Sequence, residues 1–150
     1  MRILLITTLP NRVAQVLSPM ADIIPCCPYE LIGPRLKEYM QQHRLDILVT
    51  YRCPYIVPRE IYTQPIMGAY NIHPSLLPKY KGLNPWEDIV RAKETMTGIT
   101  IHCLTDNVDS GDIVAQKEFI IDPTMPLDLL RARADEEAAI LIQYYLNQFF

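Results

Sequence analysis

Short apolar runs alternate along this chain with amphipathic stretches and proline-rich connections. Residues 3–8 form an unbroken apolar run ending in Thr7 and Thr8, the mark of a strand buried on both faces. Leu9, Pro10 and Asn11 interrupt it, and Val13, Val16 and Leu17 follow at weak helical spacing. A second run over 22–27, carrying Ile23 and Ile24, predicts a short strand or an extended connection. Pro34 marks an expected helix start, since its missing N–H does no harm in a first turn. Leu36, Tyr39 and Met40, with Leu31 or Ile32, then share one helical face, and polar residues 41–44 close the helix. Residues 46–51 and 68–73 read as two more buried strands, the second stopped by Pro74. Between them Pro54, Pro58 and Pro65 predict a structured connection without a regular element. After an irregular loop with Pro78, Gly82 and Pro85, a helix is expected from Trp86 to about Lys93. Two β-rich segments, 97–104 and 113–121, flank a turn at 106–112. A last helix from about Pro126 to Leu146 carries Leu130, Ala134, Ala138, Leu141 and Tyr145 as its apolar stripe.

Strand, helix, strand is the α/β rhythm. It predicts a mostly parallel sheet with helices on both faces, and strands 3–8, 46–51 and 68–73 as neighbours at its centre. The 150 residues suit one domain spanning 1–150, and 49% hydrophobic with 21% charged residues excludes a disordered chain. Fourteen basic residues against seventeen acidic ones, a net charge of −3, argue against a nucleic-acid coat. Neither a membrane span nor a signal peptide is expected, so a cytoplasmic protein is the reading. Cys26, Cys27, Cys53 and Cys103 fit neither a zinc spacing nor a disulfide framework, and read as buried reduced thiols.

Side chains at i and i+2 of a strand share a face, so Asn71 and His73 project together at a strand end. Sites in open α/β sheets gather at those ends. An amide donor beside an imidazole suits a carbonyl oxygen that is becoming an oxyanion. The alternative is a pair that merely hydrogen-bonds the turn. Asp106, Asp109 and Asp112 around Gly111 suggest a calcium loop, but Val108 occupies the third position and no glutamate closes it. The same residues suit a β-turn, or one carboxylate that sets the protonation of a histidine. His102, inside a strand, reads as a supporting histidine, and no metal is expected. No glycine-rich phosphate loop and no Gly-x-Ser-x-Gly elbow occurs.

Taken jointly, Asn71 to Pro78, Gly82, Pro85, Thr97 to His102 and Asp109 to Ile113 with Gln116 resemble the folate-dependent formyltransferase family. That family includes the glycinamide ribonucleotide, methionyl-tRNA and sugar-amine formyltransferases. The resemblance covers roughly residues 46–121. It implies a Rossmann-like core and formyl transfer from 10-formyltetrahydrofolate to an amine, without a metal. Asn71, His73 and Asp109 fall on the family's catalytic positions, with a protonated His73 favoured by Asp109. His102 and Ser75 would support them. Tyr51, Arg52, Cys53, Ile56 and Val57, facing Thr105 and Val108, would hold the folate.

Two departures stand out. A β-α unit of about 30 residues, usual before the central strand in such proteins, is expected to be missing, since 16–20 passes almost at once to 22–25. The glycine-rich phosphate-binding turn of the family's purine enzyme is also absent, and no RNA-contacting domain is expected. The acceptor is therefore expected to be a small amine, an amino sugar or a nucleotide-linked amine, with no nucleic-acid partner. A formyltetrahydrofolate hydrolase and a folate-binding module without turnover are the alternatives. Homo-oligomerisation stays open.

Overall fold

The computed structural model describes residues 1–25 and 29–150, the side chains of 29–32 excepted. Among the described residues six strands form one sheet: β1 (Ile3–Thr7), β2 (Ala21–Pro25), β3 (Ile47–Tyr51), β4 (Ala69–His73), β5 (Met96–Cys103) and β6 (Ile113–Ile120). Their order across the sheet is β2-β1-β3-β4-β5-β6. β2, β1, β3 and β4 pair in parallel, and β5 is antiparallel to both of its neighbours. The sheet is thus mostly parallel, with β1, β3 and β4 side by side at its centre, as the apolar runs predict.

Every residue of β1 and of β3 is buried, because helices cover both faces there. Strand alternation sorts their side chains into two cores. Ile3, Leu5, Ile47, Val49 and Tyr51 face α1 (Arg12–Leu17) and α5 (Leu127–Leu146). Leu4, Ile6 and Leu48 face α2 (Tyr29–Gln42) and α3 (Arg59–Tyr62). α4 (Pro85–Arg91) adds Ile89 to the first core. The stripe foreseen on α5 is the buried one: Leu130, Ala134, Ala138, Leu141 and Tyr145 are all at most 9% exposed. Truncating Leu130 to Ala would cost about 2–5 kcal/mol. Among the described residues no helix is long and apolar enough to cross a membrane.

Three expectations shift. The second helix begins at Tyr29, so Pro34 lies inside it and removes one intrahelical hydrogen bond. The connection 52–67 contains a helix after all, the single turn α3, which follows Pro58 and is held down by buried Ile61. The second strand ends at Pro25, and the thiols of Cys26 and Cys27 lie outside the described residues. Residues 8–20 cross from β1 to β2 through a six-residue α1, near the shortest βαβ crossover of about 10–12 residues.

Candidate active site

On the α2/α3 side the sheet is apolar under those helices and polar beyond them. Thr50 on β3 is the register partner of Asn71 on β4, and Asn71 in turn of His102 on β5. His73 pairs with Thr100. Paired residues share a face, so three adjacent strands bring Thr50, Asn71, His73 and His102 to one place. The register of β5 against β6 shifts between Ile101 and His102, a bulge of the kind that re-aims a side chain beside a site.

The hydrogen bonds interlock. Thr50 donates its hydroxyl to Asn71 Oδ1 at 2.8 Å. Asn71 Nδ2 lies 3.1 Å from His102 Nε2, and His102 Nδ1 donates to the Cys103 carbonyl at 3.0 Å. His73 Nε2 donates to the Tyr80 carbonyl at 2.7 Å, leaving Nδ1 at 3.5 Å from Asp109 Oδ1. The same oxygen is 3.4 Å from His102 Nε2, while Oδ2 accepts the Gly82 N–H at 2.8 Å.

Asp109 reaches that position by a tight local path. Its φ is 51°, a left-handed conformation that Asp tolerates better than most residues. Two residues on, Gly111 passes so close under β5 that a Cβ there would lie 1.8 Å from the Cys103 carbonyl oxygen. Arg52 and Tyr80 also have positive φ, so three non-glycine outliers border one site, where such strain concentrates.

Burial dominates the electrostatics. It pushes His73 below its ordinary pKa, and the attraction of Asp109 offsets this only in part. Burial would raise the Asp109 carboxyl. The contact with His102, the Gly82 amide and the positive charge that each imidazole carries when protonated outweigh it, so the carboxyl lies below its usual range. Burial thus works against the protonated His73 that the family resemblance implies, while Asp109 and the Tyr80 carbonyl favour it.

These groups line a cleft of about 490 Å³ at the carboxyl ends of β1, β3 and β4, where the strand order reverses. Thr8, Arg52 and Trp86 border the cleft, as do segments 52–57 and 104–109. Ile56 and Val108 stand 67% and 54% exposed at its rim. Asp106 ties the second segment to α3 through Arg59, 2.6 Å away, and the Tyr62 hydroxyl. Among the described residues no group of three or more His, Cys, Asp or Glu is placed to hold a metal ion.

The profile of the formyl transferase family matches residues 10–145 of this sequence. The chain belongs to the formyl transferase family. A methionyl-tRNA formyltransferase from Thermotoga neapolitana is 32% identical over 142 residues, covering 94% of this chain and 45% of the relative. The chain spans less than half the length of the curated relatives it matches. Phosphoribosylglycinamide formyltransferase from Bacillus halodurans superposes with a TM-score of 0.81 at 20% identity, over 94% of this chain and 91% of that one. A formyltetrahydrofolate deformylase from Pseudomonas syringae gives 0.82 at 16% identity, over 97% and 59%. At such identity the likeness is one of fold.

Within this formyl transferase fold, Asn71, His73, Asp109 and His102 converge. Arg52, Cys53, Ile56, Val57, Thr105 and Val108 line the cleft. Ser75 is fully buried beneath it and donates to the Lys79 carbonyl at 2.6 Å, steadying the loop whose next carbonyl holds His73. Tyr51 is the correction. As the last residue of β3 it alternates away from Thr50, is 0% exposed, and bonds Asp135 on α5 instead of facing the cleft. Thr50, the Tyr80 carbonyl and the Gly82 amide join the site unforeseen. The sequence signal for Thr50 was a polar residue two places beyond Leu48 on the same strand face.

Proposed function

We propose that this chain transfers the formyl group of 10-formyltetrahydrofolate to a small-molecule amine, with residues 1–150 acting as one catalytic unit. The observation that carries this reading is the convergence of Asn71, His73 and Asp109 in one cleft of a formyl transferase fold. The cleft volume is within the about 300–1,000 Å³ usual for small-ligand sites. Segments 52–57 and 104–109 form two lips, and exposed Ile56 and Val108 suit the faces of a flat pterin ring. Arg52 adds a cation to the lining of the cleft, which suits an acceptor bearing phosphate, such as a nucleotide-linked amine or amino sugar.

The co-substrate supplies a formyl carbon open to attack by the amine. Asn71 donates an N–H to the formyl oxygen as it gains negative charge, an interaction worth more in the transition state than before it. Neutral His73 takes at Nδ1 the proton that the attacking nitrogen loses. Asp109 then offsets the new imidazolium charge. When the bond from carbon to the folate nitrogen breaks, His73 returns that proton to the folate nitrogen. Formylated amine and tetrahydrofolate are the products, and the side chains end as they began.

The chain has one tryptophan, Trp86, and it borders the cleft. Quenching of its fluorescence by a folate analogue tests the donor side directly, and no response at millimolar ligand would remove the proposed donor. Tetrahydrofolate release that requires an amine supports transfer. Release in buffer alone would assign hydrolysis.

A further inference from the structure

We infer that Thr50 is a positioning residue that sets which end of the Asn71 amide faces the reacting oxygen. The inference rests on the formyl-transfer reading of the site. An amide side chain has two nearly isosteric ends with opposite hydrogen-bonding character. Only the NH2 end can stabilise a developing oxyanion, so the orientation of Asn71 decides whether it helps or repels. Thr50 is 3% exposed and is the parallel-strand register partner of Asn71. Its hydroxyl donates to Asn71 Oδ1 at 2.8 Å, and the other acceptor in reach, the Tyr70 carbonyl, is at 3.5 Å.

The far side of the amide agrees with this polarity. His102 Nδ1 carries a hydrogen, because it donates to the Cys103 carbonyl. When the ring carries that one hydrogen, Nε2 is the acceptor, and Asn71 Nδ2 lies 3.1 Å from it. A reversed amide would set Oδ1 against that lone pair, close to Asp109 Oδ1, which is 3.4 Å from the same ring nitrogen. The chain of donors therefore runs from Thr50 through Asn71 and His102 to the Cys103 carbonyl. An NH2 group has two hydrogens. One serves His102, and the second is left for the cleft that Asn71 lines.

Thr50→Val keeps the branched shape and removes the donor; Thr50→Ser keeps the donor. With 10-formyltetrahydrofolate and an accepted amine, Thr50→Val should lower kcat by about 10- to 100-fold, the scale of a small misplacement at a reacting centre. KM for the donor and Trp86 quenching by a folate analogue should stay within about twofold, because the interaction is made in the transition state. Thr50→Ser should recover most of the lost kcat. Thr50→Val combined with Asn71→Ala should be no slower than Asn71→Ala alone. A second readout needs no turnover. The Asn71 side-chain NH2 pair in the 15N spectrum of the free protein, assigned by its loss in Asn71→Ala, should move in Thr50→Val and return in Thr50→Ser.

Full kcat in Thr50→Val, or losses that multiply in the double variant, would overturn the role while leaving formyl transfer standing. An unmoved NH2 pair would overturn it as well. If Asn71→Ala itself turned over normally, the oxyanion role of Asn71 would fall, and that of Thr50 with it.

Discussion

Asp109 meets His73 through one carboxylate oxygen, Oδ1 at 3.5 Å from Nδ1, and is anchored through the other, which accepts the Gly82 N–H at 2.8 Å. The carboxylate is thus fixed before it is needed, and it acts on a histidine that burial keeps below the ordinary 6.5.

Turnover should follow the neutral form of His73. The rate kcat/KM is expected to rise with pH through an apparent pKa below 6.5 and to level off near neutrality. Asp109 raises the His73 pKa, so Asp109→Asn should move that acid limb to still lower pH. The plateau should drop on the order of 10²-fold, because the imidazolium formed during transfer loses its counter-charge. A limb that moves upward in Asp109→Asn contradicts this assignment.

Stability should show the same two groups. His73 binds its proton less readily folded than unfolded, so its effect on stability is absent well above 6.5 and becomes destabilising as pH falls below that value. Asp109, depressed in the fold, contributes stability above the usual carboxylate range that is lost as pH falls through its lowered value. Urea midpoints measured across pH 3–8 should therefore decline in acid. His73→Gln should flatten the part of the decline just below 6.5.

Much of this site was legible because strand geometry is periodic. Asn71 and His73 are two residues apart at the end of an apolar run, which alone puts them on one face. Tyr51 was misassigned for the same periodic reason, as one step along β3 turns its side chain to the α5 core. Asp109 could be placed only by resemblance, since its approach depends on a left-handed residue and on Gly111 passing under Cys103. The burial of His73, which pushes its pKa down, was not legible at all. The ring meets groups from outside its own strand, among them the Tyr80 carbonyl and Asp109, and no local pattern encodes that.

Tyr51→Phe should separate fold from function. The buried Tyr51 hydroxyl bonds Asp135, which also lies 3.4 Å from Arg52 Nη1. Burial holds the phenol pKa far above its ordinary value, so it is a donor throughout. Its loss should cost about 1.5–3 kcal/mol in urea unfolding, the range for hydrogen bonds to charged groups. Binding of a folate analogue should be unchanged, as Tyr51 does not line the cleft.

Gly111→Ala should damage the site from below. A methyl group 1.8 Å from the Cys103 carbonyl oxygen forces the turn away from β5, and Asp109 with it. Overpacking of this kind typically costs about 1–3 kcal/mol. We expect that loss in unfolding, with kcat falling towards the level of Asp109→Asn. A variant that folds less stably yet keeps full kcat would show that the turn can shift without moving the carboxylate.

The central claim is formyl transfer through His73, and the direct measurement is tetrahydrofolate formation from 10-formyltetrahydrofolate with a panel of amines, wild type and His73→Ala in parallel. The expected result is amine-dependent release by the wild type. In His73→Ala it should fall by about 10²–10⁴-fold, with the fold and Trp86 quenching by a folate analogue preserved. Release that persists undiminished in His73→Ala, or no release by the wild type with any amine, would contradict it.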